Sequence, residues 1–169
     1  MYQAPPIRVR PARILHFTDS LEPSGLGEHI YLLARELRRR GYEQAVACPA
    51  VSASRALRER CAAAGLTLYP LCVRDATDAA DYQRLVRLLS RDAFDLFHNH
   101  CGITWEGCWG TFAASEAEVP VIATEHLPYM ALDGARQDLK RRAMRQVAAT
   151  IVVSHGIARS MLEAGLVPR

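Results

Sequence analysis

Apolar runs of four to six residues alternate about six times along the chain with stretches whose apolar positions recur at helical spacing. The runs predict strands over 13–18, 44–48, 67–72, 94–98, 119–124 and 150–153. Most are apolar without interruption, as parallel strands buried on both faces require. The helical stretches fall near 27–40, 54–64, 79–91, 104–117, 136–147 and 155–164. In the first, Ile30, Leu33, Ala34 and Leu37 stand at i, i+3, i+4 and i+7, and Arg35, Glu36, Arg38 and Arg39 take the outer face. Gly41 predicts a left-handed cap at its end. In the last, Ser154 is the candidate N-cap, Ile157, Ala158, Met161 and Leu162 face inward, and Gly165 closes the helix. Because βαβ crossovers are right-handed, this order predicts an α/β fold: a doubly wound parallel sheet of about six or seven strands with helices on both faces. Ligands then belong at the carboxyl ends of the strands.

Composition narrows the function. The chain has 169 residues, half of them apolar and under a quarter charged, which suits one soluble globular domain. No apolar run approaches the roughly 20 residues of a membrane span. The first thirteen residues carry three prolines and three arginines but no apolar signal-peptide core. Residues 1–12 therefore read as a flexible arm and 13–169 as the domain. Five cysteines, none in a CxxC pair, argue against a disulfide framework and a structural zinc site, and fit a reducing cytoplasm. A net charge of +3 gives no support for nucleic-acid binding.

Candidate chemistry begins in the loop after the first strand, Asp19-Ser20-Leu21-Glu22-Pro23-Ser24-Gly25-Leu26-Gly27-Glu28-His29, which runs into the strongest helix. Ser24, Gly25 and Gly27 would let backbone amides approach a phosphate at the positive helix end; the alternative is a tight turn. A dinucleotide fingerprint would need a third glycine where Ile30 stands, and an acidic residue where the second strand ends in Cys48-Pro49. No Gly-Lys-Ser/Thr phosphate loop is present.

Four segments together resemble the amino-terminal half of retaining GT-B glycosyltransferases of the family 4 (group 1) type. SGLGEHIYLLARELRRRGYEQAVACP is similar to the family's glycine loop and histidine-bearing helix. Phe94-Asp95-Leu96-Phe97-His98-Asn99-His100 resembles its D-x-x-H-x-H strand end, Val121-Ile122-Ala123-Thr124-Glu125-His126 its T-x-H strand end, and Ala149-Thr150-Ile151-Val152-Val153-Ser154 its V-S strand end. Two positions depart from the pattern: Ser24 stands where the first loop glycine is usual, and Tyr42 replaces the histidine of Arg-Gly-His.

The resemblance implies a Rossmann-like domain holding the acceptor side of a two-domain active site, with the carboxyl-terminal, donor-binding domain absent. It implies a nucleotide diphosphate sugar as donor, a glycan, lipid-linked or small-molecule acceptor, and no cofactor or metal. His126 is the candidate catalytic residue, matching a histidine that contacts the donor sugar; a structural role satisfying loop carbonyls is the alternative. Gly25, His100 and His126 are expected to converge. Asp19 and Glu125 could bind acceptor hydroxyls or be solvated loop charges. A metal reading of His98 and His100 lacks the further ligands a site needs.

The basic segment 136–145 could touch anionic lipid, placing the protein at the inner membrane surface, or be a solvated helix face. Trp105 and Trp109, four apart, read as core or cleft lining. Alternatives to the transferase half are a sugar-nucleotide epimerase fragment and a non-catalytic glycan- or partner-binding module. The closing Leu166-Val167-Pro168-Arg169 also equals the remnant of thrombin cleavage, so these residues read either as native or as tag-derived.

Overall fold

In a computed structural model, which describes residues 10–23, 25–103, 105–130 and 133–167, twelve main elements alternate. They are β1 (Arg13–Phe17), α1 (Gly25–Arg39), β2 (Glu43–Cys48), α2 (Arg55–Ala63), β3 (Thr67–Pro70), α3 (Ala79–Arg91), β4 (Leu96–Cys101), α4 (Cys108–Glu116), β5 (Val121–Glu125), α5 (Gly134–Met144), β6 (Val147–Val152) and α6 (His155–Glu163). The six strands form one sheet, ordered β3-β2-β1-β4-β5-β6 and parallel throughout. Residues 1–9, Ser24, Pro168 and Arg169 lie outside the described residues, and with them most of the expected arm and one candidate phosphate ligand.

Period-two alternation assigns each strand residue a face. Leu15, Phe17, Ala45, Ala47, Phe97 and Val121 pack on one face against Leu85 and Leu89 of α3 and Ala113 and Ala114 of α4. Val46 and Cys48 point the other way, onto Ile30 and Ala34 of α1 and Leu57 and Cys61 of α2. The expected apolar stripe of α1 is the stripe that packs, with Ile30 and Ala34 fully buried and Leu33 and Leu37 partly so. Gly41 and Gly165 adopt positive φ, at 91° and 65°. Ser154 caps α6 by accepting the Ile157 N–H at 3.2 Å.

Most boundaries shift by one or two residues from the sequence expectation, and the larger shifts fall in three places. β4 runs over Leu96–Cys101 rather than 94–98, because His98, Asn99 and His100 are buried in the sheet and each makes a hydrogen bond inside the protein. α4 begins at Cys108, because Gly107 takes a left-handed conformation (φ 77°) that no helix interior accepts; Trp105 thus sits in a turn. α5 ends at Met144 and β6 begins at Val147, where alanines of high helix propensity are recruited by pairing with β5.

The chain passes from β1 to β2 by way of α1 and returns to β4 after α3, so β1 has partners reached in opposite directions. Loops leaving the carboxyl ends of β1 and β4 therefore separate to opposite faces, opening a crevice at this switch point.

Candidate functional site

The crevice holds a cavity of about 590 Å³. Its walls come from the loop after β1 (Ser20, Leu21, Glu22) and the start of α1 (Gly25, Leu26), from the loop after β4 (Gly102, Ile103, Glu106), and from Arg74, His126 and Leu127. Gly25 opens α1, and a Cβ built on it would meet nothing within 4 Å. The positive end of a fifteen-residue helix is thus bare toward the cavity. Gly27 serves packing instead: its N–H bonds to Pro23 O at 3.0 Å, and a Cβ there would lie 3.4 Å from that of Pro23 and 3.6 Å from that of Leu57.

Asp19 is buried beneath the loop. Both carboxylate oxygens accept the Gly107 N–H, at 3.0 and 2.9 Å. Burial pushes its pKa up to about 7, against the lowering effect of that hydrogen bond. Glu125 ends β5, but its side chain turns from the cleft to accept a 2.7 Å bond from Lys140 Nζ, both groups being almost fully buried. Lys140 is the inward residue of the basic segment; Arg136, Arg141, Arg142 and Arg145 are exposed.

Beneath the cavity lies a group of imidazoles. His16 and His98 are register partners on β1 and β4, and with His100 they project from the α1 face of the sheet. His98 and His100 stack with centroids 4.0 Å apart. His98 Nε2 meets Thr124 Oγ1 at 2.8 Å, His100 Nε2 meets His16 Nδ1 at 3.0 Å, and His16 Nε2 meets Gln44 Oε1 at 2.8 Å. His29, one turn into α1, presents its ring to His126 at 4.9 Å and to His100 at 5.6 Å. His100 and His126 are 5.8 Å apart. Burial lowers all five pKa values, to about 4 for His16, about 3 for His98 and about 4 for His126, with His100 well below its ordinary value. All are neutral near pH 7, so His126 offers hydrogen bonds rather than a cation to whatever fills the cavity.

The structure therefore brings Gly25 and His126 into one cavity, places His100 and Asp19 just below it, and sets Glu125 and Gly27 to structural tasks. Arg74 and Glu106 escaped the sequence reading. Glu106 Oε2 accepts the Gly102 and Ile103 N–H groups, each at 3.0 Å, and shapes the far wall. Arg74 supplies a cation at the cavity from a loop with no motif. His16 carried a faint signal as the polar residue within an apolar strand.

In open parallel α/β sheets ligands bind in the crevice at the switch point, which is where this cavity lies. The model of Glycosyltransferase Family 4 matches residues 23–169, and the chain belongs to that family. Its fold is that of the amino-terminal domain of GT-B glycosyltransferases. No curated protein matches it in sequence. Among solved structures it is similar to a glycosyltransferase from Rickettsia africae (TM-score 0.74, 10% identity, covering 92% of this chain and 40% of that one). It is also similar to HepE of Anabaena, solved with UDP and glucose (0.69, 16%, 91% and 41%). A third similar chain is a proposed UDP-N-acetylglucosamine 2-epimerase from Listeria monocytogenes (0.66, 12%, 95% and 44%). The chain thus spans well under half the length of these proteins.

Proposed function

We propose that this chain forms the acceptor-side half of a glycosyltransferase active site, serving transfer from a nucleotide diphosphate sugar to a glycan, lipid-linked or small-molecule acceptor. The observation that carries this reading is Gly25: the bare start of α1 faces the same 590 Å³ cavity as His126. An anion there gains the helix dipole, with Arg74 as a nearby cation. Such preorganised charge, stabilising a departing diphosphate, replaces a metal in the transfer step. Neutral His126 orients a sugar hydroxyl beside it. The UDP and glucose bound by the similar HepE support this donor class. A second domain closes the other side, and exposed arginines of α5 allow an anionic membrane surface, on the cytoplasmic side, to deliver a lipid acceptor.

The test compares the 169-residue chain with a two-domain protein that carries it. The two-domain form should turn over a nucleotide sugar and the short chain should not, because transition-state binding needs groups from both walls. In the two-domain form, Gly25→Val should reduce kcat/KM by about a hundredfold or more. Sustained transfer by the repurified short chain, or full activity of Gly25→Val, would overturn the reading.

A further inference from the structure

The imidazoles form two triads that share His100. In each, one ring nitrogen per residue lies within 4.8 Å of the others. The deeper triad, His16, His98 and His100, is fully buried, and both ring nitrogens of His16 are taken by Gln44 and His100. The shallower one, His29, His100 and His126, joins the first turn of α1 to the ends of β4 and β5 and reaches the cavity through His126.

Two ring nitrogens in this shallower triad are buried without a partner: His100 Nδ1 and His126 Nε2. For His100 the hydrogen bonds explain which form of the ring this leaves. Gln44 Oε1 is an acceptor only, so His16 Nε2 carries the proton and His16 Nδ1 must accept. His100 Nε2 therefore donates to His16, which leaves His100 Nδ1 as a bare lone pair. A ring whose N–H is held by a second residue and whose other nitrogen is free is the arrangement of a metal-ligating histidine.

We propose that His29, His100 and His126 bind a late first-row divalent cation such as Zn²⁺ at the floor of the cleft, with a fourth position open to the cavity. Three neutral imidazoles and one solvent position are a known donor set for this ion. Zn–N bonds of about 2.0–2.1 Å need the three nitrogens, now within 4.8 Å of one another, to draw together, and His29 and His126, both half-buried, are the less enclosed of the three. The bound ion takes the lone pair that His126 would offer a sugar, so it acts as an inhibitor of the cleft and not as a participant in transfer. The site stands apart from the transferase reading, since its binding is measured without turnover.

The experiment titrates tag-free protein with Co²⁺ and follows the visible d–d absorption, which is intense only in tetrahedral coordination. A single saturable site, displaced by Zn²⁺, is expected. His29→Gln and His126→Gln should each weaken binding about tenfold or more, and Gln44→Leu, which releases the tautomer of His100, should weaken it while His155→Gln, on an exposed residue of α6, should not. Circular dichroism monitors folding, and His29→Gln decides the matter if His126→Gln misfolds. Nitrogen NMR should show the His100 Nδ1 resonance as a bare lone pair that shifts on Zn²⁺ addition. Absence of tetrahedral bands, or affinity unchanged in His29→Gln, overturns the proposal.

Discussion

Asp19 and Gly107, 88 positions apart, are joined by the Asp19 carboxylate receiving the Gly107 N–H on both oxygens. The bond ties the loop after β1 to the loop after β4 across the crevice those loops enclose. Gly107 is fixed from its other side as well, where Asn99 Nδ2 donates to its carbonyl at 2.8 Å and to Thr111 Oγ1 at 2.9 Å. Removing the acceptor leaves a buried N–H unpaired, so Asp19→Ala should lose about 1–3 kcal/mol. Asp19→Asn keeps an oxygen there and should lose less. Urea denaturation checks both, and an Asp19→Ala protein as stable as the parent would dissolve the clamp.

Two glycines make opposite predictions. A Cβ on Gly110 would fall 2.4 Å from Cε1 of Phe17, a fully buried ring packed on Phe97. Gly110→Ala should therefore cost about 1–3 kcal/mol through overpacking of the β1–α4 contact. A Cβ on Gly25 meets nothing, so Gly25→Ala should change stability by less than about 0.5 kcal/mol. Its methyl would instead occupy space at the cavity, and nucleotide-sugar turnover by a two-domain form should fall. Thermal unfolding and kinetics on the same pair separate the two roles.

The alternation of apolar runs and helical stretches made the architecture legible, because parallel strands buried on two faces leave little choice of residue; α3 matches its expected range of 79–91. Where polar residues enter the sheet the pattern misleads. His98, Asn99 and His100 read as the end of a strand, yet each makes at least one buried hydrogen bond to a ring, hydroxyl or backbone partner, and the strand continues through them. The site was half legible. Gly25 follows from its place at the start of the helix after β1 and His126 from its place just past β5, whereas Arg74 and Glu106 stand in loops without a motif. Glu125 looks like a cleft residue in sequence; its partner Lys140, fifteen positions on, is hidden among arginines of similar appearance.

That pair makes a prediction of its own. The Lys140–Glu125 bond holds α5 to the end of β5 with both side chains withdrawn from water. Deleting one partner strands a buried charge, so Lys140→Met should destabilise by about 3–5 kcal/mol. The double variant Lys140→Met/Glu125→Leu should recover most of that loss, since an apolar pair of similar volume bears no desolvation cost. A double-mutant cycle in urea measures the coupling, and simple additivity of the two single losses would contradict a direct pair.

The imidazole group sets the pH response of the fold. Burial holds His16 near 4, His98 near 3 and His126 near 4, with His100 well below its ordinary value, while the unfolded chain titrates near 6.5. Between those values the unfolded state binds more protons, so this stability is complete above pH 6.5 and is lost as pH falls toward 4. His16 alone accounts for about 3 kcal/mol over the full window. Asp19 pulls the other way: its pKa rises from 3.8 to about 7, so its contribution is complete below pH 3.8 and fades as pH rises through 7. Four depressed imidazoles outweigh one raised carboxyl, and the net expectation is a urea midpoint that drops steadily from pH 7 to pH 4.5. The two sources are separable by sign. His16→Gln should make the drop shallower, and Asp19→Asn, which deletes the opposing contribution, should make it steeper. A midpoint that stays flat over this range, or an Asp19→Asn profile shallower than the parent's, would show that these groups are not buried in the protonation states assigned to them.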